Sequence, residues 1–357
     1  MKTLGIAILG LFLACSSVYA DWEKRPLNTL ASFKDVFFLN ENRGWIVGGN
    51  GVVFSTLDGG KTWAPRDRFT TDDLVQIHFT DADTGWLLCQ RNVYERGKQP
   101  ISYLRKTTNG GQSWDKVEFE DADRERVTRL LFGKDGSATA FGEGGIFYKL
   151  QPDGQTWKKF HTAIHFLLLD GALSDNSVGA IVGAGGTIMF TEDGGMTWDR
   201  ATLLPDSEAK FNAIYFAGSK LGAWAVGNGG QIFHSNGGAR LWRPQNSTVT
   251  ADLNDVTFTS PRDGWAVGES GIMVRTRDGG QTWYDIKSPV NHTLQKIIFT
   301  NGHGWAVGFG GTVIQYDASY SDDPGRKPDL QRRGIGHLHP RKITRSFQAA
   351  ASMRRRF

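Results

Sequence analysis

A phrase of twenty residues, GWAVGESGIMVRTRDGGQTW at 264–283, limits the fold more than any other feature, because the chain writes it about seven times. Each copy holds an apolar run (Trp265 to Val267), a glycine-bearing turn, a second run (Ile272 to Thr276) and a tight turn that closes on Thr-Trp. Apolar runs of strand length broken by glycine turns predict an antiparallel meander. The copies start at Gly44, Gly85, Ala138, Gly179, Gly222, Gly264 and Gly304, and the second carries an insertion, Arg91 to Pro100. The closing residues Trp63, Trp114, Trp157, Trp198, Trp242 and Trp283 lie 51, 43, 41, 44 and 41 positions apart. A further alternating segment precedes each copy, at 33–40, 74–81, 127–133, 164–170, 211–218, 253–260 and 294–301. Four strands in about forty residues is the period of a propeller blade. The seventh copy stops after three strands, while Asp21-Trp22-Glu23-Lys24 reads as a fourth strand with no first three. The expectation is an all-β fold: a seven-bladed β-propeller over residues 21–317, with four-stranded antiparallel blades, closed by an N-terminal strand that leaves no open edge.

The tight turn is T-x-D-x-G-x-T-W at Thr56–Trp63, Thr191–Trp198 and Thr276–Trp283. Its acid, Asp58, Asp193 or Asp278, can bond backbone amides two or three residues on, and its glycines accept positive φ. Asn109 and Asn236 keep a side-chain acceptor in the second and fifth copies. The third turn, around Asp153, is one residue short and the fifth is one residue long, so both are expected to be irregular. An acid repeated around a ring is a device for building turns, which argues against a catalytic role.

At the N-terminus, Met1 to Ala20 carries a positive start, an apolar run too short to span a membrane, and small residues before Asp21. It reads as a signal peptide directing export to a periplasm or an equivalent lumen. A lipidated Cys15 is the rival reading. Cys89 is then the only mature cysteine, expected as a buried apolar side chain. Residues 318–357 hold ten Lys/Arg against three Asp and lack strand periodicity, so this basic tail is expected to be disordered. Peripheral membrane contact through Arg354-Arg355-Arg356 is one expectation for it.

Loops after the second and fourth strands share the face opposite the Asp turns. That places Arg91, Arg96 and Lys98 of the insertion there, with Arg66, Arg68, Arg124 and Arg126 on interblade loops. These seven are the candidate partner-binding residues. A basic residue also follows every closing tryptophan within four positions: Lys24 and Arg25, Arg66, Lys116, Lys158 and Lys159, Arg200, Arg243, and Lys287. Charge on an outermost strand blocks edge-to-edge pairing. Inner strands place Asp35, Gln76, Arg129, Asp255 and Lys296 at equivalent third positions, where mixed charges are expected to pair. No cofactor or metal is expected. Nucleic acid is an improbable partner, since residues 21–317 are net negative.

The G-W-x-V-G-x-x-G strand pair followed by the Asp turn resembles the photosystem II stability and assembly factor family of Asp-box (BNR) repeat propellers, over residues 21 to about 317. The resemblance implies a non-catalytic, exported scaffold that docks a membrane-protein complex or its subunits during assembly. The photosystem II reaction centre is the partner if the host is phototrophic, with the thylakoid lumen as the location. It implies a basic docking surface, for which the arginines above are the candidates, on a protein expected to be a monomer. A sialidase-like glycoside hydrolase is the rival, but its Arg-Ile-Pro segment is reduced here to Arg25-Pro26. A surface or adhesion propeller is a third reading, differing mainly in its partner.

Overall fold

The computed structural model describes residues 22–317, except 93–99, 123, 161–164, 175–176, 218–221 and 301. Seven antiparallel sheets stand around an axis, each running outward from its first strand to its last. The inner strands are Phe33–Phe38, Asp73–Phe79, Val127–Phe132, Leu168–Leu173, Phe211–Phe216, Leu253–Phe258 and Leu294–Thr300. The second strands are almost wholly buried, as the GWIVG and GWAVG sequences require of strands covered on both faces. Among the described residues the buried apolar side chains form seven clusters, one at each junction between neighbouring blades. The core is thus a ring of seams.

The ring closes as expected. Glu23–Lys24 pairs antiparallel with Val313–Asp317, matching Glu23 to Gln315 and Lys24 to Ile314. The Arg25 amide extends that ladder to the Val313 carbonyl at 2.8 Å. Trp22 is only 4% exposed and meets Trp265 and Phe299 edge-on, with ring centroids 5.7 and 5.9 Å apart.

Two details of the repeat follow from close approach. All seven inner strands carry a bulge near their start, between the first and third residues in six blades and between Leu74 and Gln76, the second and fourth, in the second blade. The valine-glycine pair that ends most second strands lies against the residue before that bulge. A Cβ on Gly48 would sit 2.3 Å from the Ser32 carbonyl oxygen, and one on Gly268 1.9 Å from that of Asp252. In the second blade Cys89 pairs with Leu74 in the place of that glycine, and the ladder runs one residue further, Asp73 to Gln90. The longer hairpin is what carries the insertion.

The fourth blade differs from the sequence reading. Its inner strand is Leu168–Leu173, not 164–170. The uninterrupted run Phe166-Leu167-Leu168-Leu169 has no alternation to set a frame, so periodicity could not place it. The fifth blade gains a fifth strand: Thr202–Leu203, from the linker leaving the fourth, pairs parallel with its outer strand Leu241–Gln245.

Candidate docking surface

The Asp turns are self-contained. Asp58 Oδ1 accepts the Thr62 amide at 2.9 Å and the Thr56 hydroxyl at 2.7 Å, while Oδ2 accepts the Thr62 hydroxyl at 2.6 Å. The Gly60 amide donates to Thr56 Oγ1 at 2.8 Å. Asp193 and Asp278 repeat this pattern, and Asn109 keeps the acceptor half of it. Asp153 uses Thr156, three residues on rather than four. Around Asn236, Gly237, Gly238 and Ala239 all take positive φ, and the Ser235 hydroxyl has no partner among the described residues. Hydrogen bonds from Thr62 hold the Asp58 carboxyl down at about 2. At Asp193 burial pushes upward, but the bonds from Thr197 and Thr191 outweigh it, and the carboxyl again falls to about 2.

The closing tryptophans sit beside these turns, with Trp157, Trp242 and Trp283 buried and Trp63, Trp114 and Trp198 half-buried. The tryptophan of the G-W pair reaches the next blade's turn: a Cβ on Gly60 (φ +82°) would lie 2.3 Å from Trp305 Cζ2, and Trp224 Nε1 donates to the Gly279 carbonyl at 3.2 Å. The Asp-turn face is therefore where blades lock together.

Around the axis the third residues of the inner strands bond across the seams. Asp35 Oδ2 accepts the Ile77 amide, Asp170 Oδ2 the Ile214 amide and Asp255 Oδ2 the Ile297 amide, all at 2.8–3.0 Å. Gln76 brackets Leu130, accepting its amide at 2.7 Å and donating to its carbonyl at 3.0 Å. Arg129 Nε meets Asp170 Oδ1 at 2.5 Å, and Lys296 Nζ meets Asp255 at 3.2 Å. Burial pushes the Asp35 and Asp255 carboxyls up, against the pull of Arg129 and Lys296. Burial opposes the Arg129 charge, but Asp170, Asp35 and Asp255 outweigh it and the net shift is upward. These charges pair with one another, as expected. Asp170, at the same third position, escaped the sequence reading because the fourth blade's frame was misplaced.

On the opposite face, interblade loops and second-to-third-strand turns frame a polar cavity of about 310 Å³ between the first three blades. Asn50, Asp73, Gln90, Arg91, Asn92 and Arg126 line it, with Thr71 and Ile101. Arg66, Arg68, Arg124 and Arg126 are exposed on the two interblade loops beside it. Arg66 Nε is steadied by Ser55 Oγ at 2.7 Å, and Arg126 lies 3.4 Å from Glu143. Arg91 requires correction. Its side chain is 6% exposed, it bonds the Pro100 carbonyl and Glu118, both at 2.5 Å, and it lies 4.4 Å over the Tyr103 ring. It shapes the cavity wall rather than offering a free charge, because Pro100, Tyr103 and Glu118 enclose its guanidinium. Arg96 and Lys98 lie outside the described residues. Of the basic residues that follow the closing tryptophans, Lys24, Lys116, Lys158, Lys159, Arg200 and Arg243 lie on outer strands, with Arg25, Arg66 and Lys287 just beyond. Among the described residues no group of three or more His, Cys, Asp or Glu is placed to hold a metal. Cys89 is buried, and burial pushes its thiol up to about 12.

Comparison with known proteins follows the same lines. A photosystem II assembly lipoprotein Ycf48 from Synechococcus sp. (strain CC9902) is 27% identical over 222 residues, spanning 60% of this chain and 62% of that protein. A homologue of the same description from Trichormus variabilis is 26% identical, spanning 72% and 88%. A solved structure described as YCF48 bound to D1 peptide superposes with a TM-score of 0.67 at 23% identity, over 84% of this chain and 96% of that one. A virginiamycin B lyase from Staphylococcus aureus superposes almost as well, at 0.65 and 11% identity, so likeness at this level speaks for the propeller alone. The model of one family, photosynthesis system II assembly factor YCF48, matches residues 14–160, 149–246 and 238–322. By that match, which runs over nearly the whole ring, the chain belongs to the YCF48 family of photosystem II assembly factors.

Proposed function

We propose that this protein is an exported, non-catalytic scaffold that docks a subunit of a membrane-protein complex during assembly, through the loop face opposite its Asp turns. The observation that carries the reading is the set Arg66, Arg68, Arg124 and Arg126, exposed on two neighbouring interblade loops beside a polar cavity. Guanidinium groups on adjacent loops give a carboxylate-bearing partner paired, directional donors and speed its encounter. On the Asp-turn face the repeated carboxylates already bond within their own turns. Family membership supports the choice of partner, because the solved relative is described as bound to D1 peptide. The reading places the protein on the exported side of a membrane, at a lumenal surface in a phototroph, acting as a monomer.

The test is capture of reaction-centre subunits from solubilised membranes by the tagged protein. Arg66, Arg68, Arg124 and Arg126 replaced together by Glu should abolish capture with melting temperature within about 2 °C of the parent, since exposed substitutions change stability little. Undiminished capture by that variant would refute the docking surface.

A further inference from the structure

The turn after the second strand is anchored through the backbone of its first residue. Gly49, Glu143, Ala184, Asn228, Glu269 and Phe309 each donate their amide to the carbonyl of the residue before their blade's inner strand: Ser32, Arg126, Leu167, Lys210, Asp252 and Thr293. The side chain there varies: Glu143 Oε2 and Asn228 Oδ1 also accept the amides of Arg126 and Lys210, and five of the six residues are small or polar. The seventh blade instead carries Phe309, which is 48% exposed. On the abutting loop, Leu30 is 89% exposed, and the Gly311 amide donates to its neighbour, the Ala31 carbonyl, at 2.8 Å. A lone exposed apolar residue is ordinary, but two on touching loops at one seam form a small patch.

The patch is tied to the polar cavity by an unbroken run of loops. Ala31 adjoins Ser32, whose carbonyl accepts the Gly49 amide at 2.9 Å; the next residue, Asn50, donates its amide to Asp73 Oδ1 at 3.1 Å, on the cavity wall. Across the cavity stands Arg126.

We infer that Leu30 and Phe309 anchor an apolar residue of an extended peptide segment of the partner, whose acidic residue further along is received by Arg126 at the cavity. The inference rests on the docking reading above and gives it a direction and a chemistry. A second copy of this chain is a poor occupant, because two side chains fall far short of the ~800 Å² per partner that a stable interface buries. An anionic bilayer fits poorly too, since it would press many phosphates against Asp73 and Glu143, where a peptide brings a single carboxylate to Arg126.

The probe is a series of fluorescein-labelled peptides carrying one Phe and one Glu, separated by about three to eight residues at about 3.3 Å each when extended. Anisotropy should show one favoured spacing. That peptide should lose about tenfold in affinity for the Leu30→Ser, Phe309→Ser double variant, and about tenfold again when its Glu becomes Lys. Arg126→Glu should reverse the preference between Glu and Lys. Binding that ignores spacing, or that the double variant retains, overturns the inference. So does self-association, or adsorption to phosphatidylglycerol vesicles, that the double variant abolishes. Subunit capture intact in the double variant but lost in the four-arginine variant would sink this inference and leave the docking reading standing.

Discussion

Replacing Gly60 by Ala tests the closed ring at the point where its last blade meets its first. Gly60 belongs to the first blade's Asp turn at φ +82°, and a Cβ there would lie 2.3 Å from Cζ2 of Trp305, a fully buried side chain of the seventh blade. Two penalties follow. Left-handed backbone costs a non-glycine residue about 1–2 kcal/mol. Relieving the overlap requires Trp305 to move by about an ångström in a packed seam, at about 1–3 kcal/mol more. Gly136 separates the two, because it has φ +84° but nothing within 4 Å of its Cβ position. Gly136→Ala should lose about 1–2 kcal/mol and Gly60→Ala about 2–5 kcal/mol by urea unfolding. With unfolding entropy of about 2.1 cal/mol/K per residue over the ring, each kcal/mol lowers the melting temperature by about 1.6 °C. In a Trp305→Phe background the excess at Gly60 should shrink, as a double-mutant cycle reads directly. Equal losses at both glycines would refute the seam packing described here.

Asp170→Asn should keep an acceptor for the Ile214 amide yet leave the Arg129 charge buried without its partner, at about 3 kcal/mol in urea. The Asp58 and Asp193 carboxyls are lowered from 3.8 to about 2 in the fold, so their contribution is fully present above 3.8 and fades as pH falls toward 2. Asp58→Ala should therefore flatten the acid limb of the stability profile over that window, and an unchanged limb would count against the turn. Raised carboxyls at Asp35 and Asp255 act oppositely, opposing the fold more as pH rises through their folded values. Peptide mapping after thiol labelling at pH 8 should find Cys89 unmodified in the native protein and modified in denaturant, given its burial and raised thiol.

Much of the fold was legible because one pattern recurs and its parts need each other. The G-W pair, the glycine that ends the second strand and the Asp turn recur together since each fills space beside its neighbour, Trp305 against Gly60 being the clearest case. Trp22 could be placed because a strand without partners and a blade without its last strand complete each other. Where alternation lapses, as at Phe166 to Leu169, the frame was lost, and Asp170 with it. The candidate surface was legible only in part. Loop order put Arg66, Arg68, Arg124 and Arg126 on one face, but nothing local to Arg91 revealed that the hairpin would bury it against Tyr103 and Glu118. Leu30 and Phe309 stood unmarked in the sequence, because their meaning lies in exposure and in loops distant along the chain.

Hydrogen exchange of the protein with and without added reaction-centre subunit tests the proposed division of labour between the two faces most directly. Docking on the loop face predicts new protection at residues 66–73, 124–126 and 143–145, with the Asp turns at 56–63, 191–198 and 276–283 exchanging as in the free protein. Protection gathered at those turns, with the loops beside the cavity unchanged, would contradict it.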